Sequence, residues 1–165
     1  MKLRILTLIT ATILLAACSS TSSTIKDEKN AAEFESTAAL IESGSYMFTV
    51  RSASPSGGKT IQITSLYSLN AREGNYEAYL PYFGRAYSGN YGGDGGIEFN
   101  GEPENLEITR NEKKNKISVK FSIQSEKDKF SVSLDVGSSG YGTLIISSQK
   151  RQTISYSGSA GELKN

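Results

Sequence analysis

The sequence predicts a mainly β protein, built as a single antiparallel meander of about eight strands with one amphipathic helix before it. Three observations lead to this prediction: apolar and polar residues alternate over short runs, short polar connections separate those runs, and a single segment has helical periodicity. Such strands must hide their apolar faces, so we expect a partly closed barrel, lipocalin-like in shape. A two-sheet β-sandwich is the alternative.

The predicted helix covers residues 31–43. Asn30 is a suitable cap before it, and Gly44 suits the left-handed position after it. The apolar residues recur at the spacing of one helix face: Ala31, Phe34, Ala38 and Ile41.

The alternation is clearest in two runs, Ile117 to Ile123 and Phe130 to Val136, where every second residue is Ser, Lys or Asp. This pattern is typical of a sheet with one buried and one solvated face. Further alternating runs begin at Tyr46, Ile61, Tyr76, Leu106, Leu144 and Ile154.

The N-terminus reads as an export signal over residues 1–17, because Lys2 and Arg4 precede an apolar run that is too short to span a bilayer. The run ends in Leu15-Ala16-Ala17-Cys18, which resembles the lipobox of bacterial lipoproteins. The resemblance implies that Cys18 becomes the mature N-terminus and carries acyl chains of the palmitoyl type, which anchor the protein to the membrane. An ordinary secretory signal is the alternative.

Residues 18–30 are predicted to be the acylated N-terminus and a flexible tether, because they are polar almost throughout. Residues 31–165 then form one β domain. No acidic residue directly follows Cys18, which by resemblance to the sorting rule of some bacteria favours the outer membrane and leaves the leaflet open.

Composition excludes several classes of function. The chain has no His and one Cys, so we expect no metal site, no cofactor and no His-based catalysis. Its 18 basic and 17 acidic residues lack the basic excess of a nucleic-acid binder. Removing the signal removes Lys2 and Arg4, which leaves 16 basic residues against 17 acidic ones.

Residues 76–101 are rich in Tyr and Gly, and neither helical nor strand periodicity continues between Pro81 and Gly96 within them. A long ordered loop of this kind either folds over an open end of the barrel and completes its core, or lines a ligand pocket or a partner surface. The candidate binding residues are Tyr79, Tyr82, Phe83, Arg85, Tyr87 and Tyr91.

Arg85 lies among apolar neighbours, which leaves two interpretations open. If the side chain points inward, it needs a carboxylate partner. The local candidates are Glu77, Asp94 and Glu98. The alternative is that Arg85 receives an anionic ligand group.

The run Leu80-Pro81-Tyr82-Phe83-Gly84-Arg85-Ala86-Tyr87, with Gly95-Gly96-Ile97-Glu98-Phe99 after it, resembles the bacterial envelope lipoprotein family known as domain of unknown function 4251. The terminal run from Arg151 to Gly158 is similar to that family as well. The resemblance implies an acylated envelope protein and supplies no catalytic residues.

The leading functional hypothesis is a binding or interaction module whose Tyr/Gly-rich segment contacts a small ligand or an envelope protein. A purely structural or accessory lipoprotein is the alternative. We do not expect an enzyme; the catalytic option that the residues leave open is a hydrolase with paired carboxylates, chosen from Glu77, Asp94, Glu98 and Glu102.

Overall fold

The computed structural model describes residues 21–87, 96–126 and 128–163. In this part of the chain, helix α1 spans Thr21–Glu42, and a single 3-10 turn spans Glu112–Lys114. The strands are β1 Tyr46–Pro55, β2 Ile61–Gln62, β3 Ser68–Arg72, β4 Asn75–Leu80, β5 Ile97–Gly101, β6 Glu104–Asn111, β7 Lys116–Gln124, β8 Lys129–Gly137, β9 Tyr141–Ser148 and β10 Ile154–Gly161.

All ten strands belong to one antiparallel sheet in the order β5-β4-β3-β1-β10-β9-β8-β7-β6, with β2 paired to β1 beside β3. Sequential strands are neighbours, and the first strand closes on the last, from Met47 opposite Gly161 to Pro55 opposite Ile154. The sheet curls into a partly closed barrel. This confirms the predicted meander and shows that the two-sheet sandwich was wrong.

The two edges of the sheet, β5 and β6, are consecutive in the chain and are separated by Glu102 and Pro103 alone. Nine strands alternate in direction along the sheet, so its two edge strands run the same way. Three peptide steps span at most about 11 Å, which forces the two edges together. β5 and β6 are therefore parts of one bent strand, whose first half pairs with β4 and whose second half pairs with β7.

Inside the barrel, aromatic side chains pack across the seam, the line along which the two edges of the sheet, β5 and β6, come together. The Phe99 ring of β5 lies 6.4 Å from the Phe121 ring of β7 in an edge-to-face arrangement and 5.9 Å from the Phe130 ring of β8. The Tyr76 ring of β4 also packs against Phe121, with 4.4 Å between ring centres. The packing of these aromatic rings thus holds the two edges of the sheet together.

Helix α1 begins at Thr21, ten residues before the predicted start, so residues 21–30 of the predicted tether are helical. Extending an existing helix requires much less free energy than nucleating one. The burial of Phe34, Ala38 and Ile41 stabilises the nucleus from which the helix extends. Ala31 is exposed and does not belong to the buried face. Gly44 ends the helix with φ +67°, as predicted.

The helix closes one end of the barrel, which we call the helix pole. The Arg110 guanidinium at the end of β6 lies 5.2 Å from the Phe34 ring centre and pairs with Glu35. Thr37 donates a 2.8 Å hydrogen bond from its hydroxyl to the carbonyl of Ser138 in the β8–β9 turn. The interior beneath the helix is filled with side chains, including the fully buried Tyr46.

Candidate functional site

The opposite end of the barrel is closed by residues 81–87, which we call the lid segment. They lie against the β9–β10 loop, residues 149–153, which we call the junction loop. The β1–β2 and β7–β8 connections reach the same end, because β1 and β7 run towards it and β8 and β10 run away from it. These four connections form the lid pole.

Backbone hydrogen bonds attach the lid segment to the junction loop. The amide of Tyr87 donates to the carbonyl of Lys150 at 2.8 Å, and the amide of Gln152 donates to the carbonyl of Arg85 at 2.9 Å. Ala86 and Arg151 form an antiparallel bridge between these two bonds. The lid segment is thus held like a short additional strand.

Tyr82 fastens the lid segment through its side chain. Its hydroxyl lies 2.8 Å from the carbonyl of Gln152 and 2.9 Å from the carbonyl of Arg85, so one proton serves two acceptors. Burial raises the pKa of Tyr82, although the Gln152 carbonyl and Arg151 oppose the shift. Beneath it, the Tyr156 hydroxyl donates to the carbonyl of Pro81 at 2.8 Å, and burial raises the pKa of Tyr156 as well.

Arg151 lies at the centre of the lid pole. Its guanidinium donates to the carbonyl of Gly96 at 2.7 Å and lies 5.3 Å from the Tyr82 ring centre. Its Nε lies 3.8 Å from a carboxylate oxygen of Asp128, a residue with 4 % of its surface exposed. A buried carboxylate needs such a counter-charge, so Arg151 ties the β4–β5, β7–β8 and β9–β10 connections together.

Gln152 adds the β1–β2 loop to this arrangement. Its side-chain amide donates to the carbonyl of Ser56 at 2.7 Å, and the amide of Ser56 donates to the carbonyl of Thr153 at 3.2 Å. The junction loop therefore contacts all three of the other connections.

Arg85 does not point into the barrel, so the interpretation in which it pairs with a local carboxylate is wrong. Its side chain is exposed, its backbone carries the contacts to Gln152, and within the described residues it forms no ion pair. The arginine that fills the inward role is Arg151, with Asp128 as the carboxylate.

The other candidates divide between the two sides of the lid segment. Tyr82 faces the junction loop, whereas Phe83 and Tyr87 face solvent with 43 % and 69 % of their surfaces exposed. Tyr79 lies on the outer face of β4, 59 % exposed, and its ring packs 5.8 Å from that of Tyr67. Cys18 and Tyr91 lie outside the described residues.

The carboxylates considered for hydrolysis are solvated where they can be described: Glu77, Glu98 and Glu102 are exposed, and Asp94 lies outside the described residues. Across residues 21–87, 96–126 and 128–163, no cluster of three Asp, Glu, Cys or His side chains is arranged to hold a metal ion. In the same ranges, no helix combines the length and hydrophobicity that crossing a bilayer requires.

A groove of about 600 Å³ lies on the outer face of β1, between the β2–β3 connection and the C-terminal residues 159–163. Its apolar lining includes Met47, Ile63, Leu66 and Leu163, and Leu66 is 74 % exposed. Sequence reasoning missed this groove, because a chain excursion between two short strands leaves no periodic signal. Sequence reasoning also missed the ion pair of Asp128 and Arg151, because the sequence around a charged loop residue does not show whether that residue is buried.

A family model described as "Domain of unknown function (DUF4251)" matches residues 28–160. A sequence search of curated proteins finds no match. Among solved structures, the crystal structure of a DUF4251 family protein from Bacteroides eggerthii is similar with a TM-score of 0.61 and 18 % identity, over 82 % of this chain and 91 % of that one. At 18 % identity the structural similarity shows a shared fold and no more. The family model matches most of the chain and therefore shows the family. The protein therefore belongs to the DUF4251 family.

Proposed function

We propose that this protein is a lipid-anchored envelope protein that binds a partner through the outer surface of its lid pole. The observation that supports this proposal is that the aromatic residues of the lid segment have two different roles. Tyr82 is used to hold the segment, while Phe83 and Tyr87 on the same short stretch remain exposed. Large aromatic side chains are enriched where proteins bind partners, because they bury much area for little entropy.

The rigid attachment of the lid segment supports a binding role. Its backbone is held by the hydrogen bonds to Lys150 and Gln152, so little conformational entropy remains to be lost when Tyr87 is covered. A small ligand and an envelope protein are both compatible with such a surface.

The proposed anchor, Cys18, is connected to the β domain through helix α1. Cys18 precedes the first residue of α1 by three positions, and α1 packs at the helix pole. With a rise of 1.5 Å per residue, a helix of 22 residues is about 33 Å long. Anchored through Cys18, the lid pole would face away from the membrane and towards the partners we propose.

The aromatic surface has a matched control in Tyr141, at the start of β9 on the helix pole, which is exposed to the same 69 % as Tyr87. We expect Tyr87→Ser to reduce the specific co-purification of envelope components at least tenfold, as quantified by mass spectrometry, and Tyr141→Ser to leave it unchanged. Equal recovery with both variants would favour the purely structural alternative.

The anchor has its own test. Metabolic labelling with a palmitate analogue should mark the wild-type chain, and Cys18→Ser should abolish the label and release the protein from the membrane fraction. Labelled Cys18→Ser protein, or wild type in the soluble fraction, would contradict lipid attachment at Cys18.

A further inference from the structure

The outer face of strands β3, β4 and β5 carries one large aromatic side chain in a polar surrounding. Alternate residues of these strands are buried inside the barrel, and the residues between them point outward. Tyr79 is one of the outward residues, and the others are all polar: Ser68, Asn70, Arg72, Asn75, Glu77, Glu98 and Asn100. We call this surface the outer platform. It surrounds a single aromatic ring with hydrogen-bonding groups.

Strand pairing places a carboxylate beside the Tyr79 ring. Tyr79 lies opposite Ser68 of β3 and opposite Glu98 of β5. Side chains directly opposite each other in antiparallel strands have Cβ atoms about 5 Å apart. Tyr79 is 59 % exposed, and Gly96 leaves the ring edge uncovered, since a Cβ at that position would lie 3.9 Å from the ring. A ligand ring that packs on Tyr79 therefore comes within reach of Glu98.

The charged groups of the outer platform are available to a ligand. The side chains of Arg72, Glu77 and Glu98 are exposed, and within the described part of the chain they form no hydrogen bond or ion pair. Both signs of charge are present, so the platform does not select a ligand by net charge. It offers two carboxylates as acceptors and a guanidinium as a donor, which suits a ligand that both donates and accepts hydrogen bonds.

The outer platform continues into the groove on the outer face of β1. Thr49 lies opposite Ser68, Met47 lies opposite Asn70, and both β1 residues line the groove of about 600 Å³. The four neighbouring strands β5-β4-β3-β1 thus carry one surface, which spans about 14 Å across three interstrand spacings. A chain-like ligand that packs on Tyr79 can extend along this surface into a concave site.

We infer that the outer platform binds a neutral polysaccharide, with one sugar ring stacked on Tyr79 and a hydroxyl of that ring donating to Glu98. Sugar hydroxyls donate to carboxylates and accept from a guanidinium, and the C–H face of a sugar ring packs on an aromatic face. This site lies on the side of the barrel and does not rest on the function proposed for the lid pole.

A protein partner fits the outer platform less well. The centres of protein interfaces are depleted in charged residues, whereas Glu77 and Glu98 lie in the middle of this surface. An extended peptide also finds no strand edge to pair with on β3 or β4, since each of these strands is paired on both sides.

The test is isothermal titration calorimetry of the acylated full chain, purified in a detergent without a sugar head group. The neutral probes are mixed-linkage β-glucan, xylan and galactomannan, and the charged probes are heparin and polylysine. Wild type should bind at least one neutral probe more tightly than either charged probe. That binding should change less than about twofold between about 50 and about 300 mM salt, because a neutral ligand forms no ion pair.

Two variants test the assigned contacts. Tyr79→Ala should weaken binding at least about tenfold, and Glu98→Gln roughly three- to tenfold, as expected for the loss of a hydrogen bond to a charged group. Their matched controls are Tyr141→Ala, at an exposed tyrosine of β9, and Glu107→Gln, at an exposed glutamate of β6. Both controls should bind like wild type, and the melting temperatures of all four variants show whether each is folded.

Three results would overturn the inference: no binding to any of the neutral probes, tighter binding to heparin or polylysine, or equal effects of Tyr79→Ala and Tyr141→Ala. Should Tyr79→Ala fail to fold, the comparison of Glu98→Gln with Glu107→Gln decides, and equal affinity of these two variants would be the contrary result.

Discussion

The guanidinium of Arg151 lies 5.3 Å from the centre of the Tyr82 ring, and through this contact the junction loop holds the lid segment over the end of the barrel. The same guanidinium reaches Gly96 and the buried Asp128. One side chain thus meets a ring, a carbonyl and a carboxylate, which the planar group of arginine suits and the point charge of lysine does not.

We predict that Arg151→Met destabilises the fold by about 3 kcal/mol, because it leaves the Asp128 carboxylate buried without its counter-charge. Urea denaturation followed by circular dichroism measures the loss. Adding Asp128→Asn to this variant should recover part of it. A single variant as stable as wild type would show that Arg151 does not support the lid pole.

Gly158 is predicted to tolerate no side chain. A Cβ there would lie 2.1 Å from the carbonyl oxygen of Thr49, where β10 crosses close to β1. We expect Gly158→Ala to cost about 2–3 kcal/mol in the free energy of unfolding. Gly161→Ala on the same strand is the control, since a Cβ there meets nothing within 4 Å. Equal stability of the two variants would contradict the close approach.

Asp135 is predicted to give the fold a pH dependence below about pH 4. Burial alone would raise the pKa of Asp135, but hydrogen bonds from Ser118 at 2.5 Å and Lys116 at 3.0 Å lower it below its ordinary value. A lowered folded-state pKa adds stability above the unfolded-state value, and this is lost as pH falls through the folded-state pKa.

The comparison is the melting temperature of wild type and Asp135→Asn from pH 2 to pH 7. The difference between them should be largest at neutral pH and should vanish at the acid end. A difference that stays constant down to pH 2 would show that the Asp135 charge is not responsible.

Buried tyrosines are predicted to limit stability in alkali. Burial raises the pKa values of Tyr46, Tyr76, Tyr82 and Tyr156. Above pH 10 these side chains ionise in the unfolded chain and stay neutral in the folded one, so the unfolded state is increasingly favoured as pH rises.

Phenolate absorbance at 295 nm should therefore continue to rise above pH 10, and the part that comes from these four buried tyrosines should appear together with the loss of the β circular dichroism signal. A single smooth rise of all nine tyrosines near pH 10 in protein that remains folded would contradict this prediction.

Periodicity predicted the parts of the fold that depend on local pattern. The alternating runs around Val119 and Leu134 became paired strands with those residues buried, and Gly44 took the left-handed position at the end of α1. The start of the helix was predicted too late. The residues before Ala31 are polar, and their local pattern does not show that the helix continues through them once its buried face has formed further along the chain.

The candidate site shows the same division. The content of aromatic residues and glycines was enough to select residues 76–101 as a candidate site. Within this segment the residues have different roles: Tyr82 is held inward by hydrogen bonds, and Tyr87 is exposed on the surface. Nothing local separates these two tyrosines, since the difference comes from contacts with residues some seventy positions away, such as Gln152.

The sequence by itself determined the class of fold, because the face on which a strand buries its side chains is encoded by alternation along that strand. Only the tertiary structure decided that β5 and β6 form one bent strand across the seam, and that Arg151 rather than Arg85 meets a buried carboxylate. Which charges meet depends on how distant loops converge when the barrel closes, and that convergence is a property of the whole sheet.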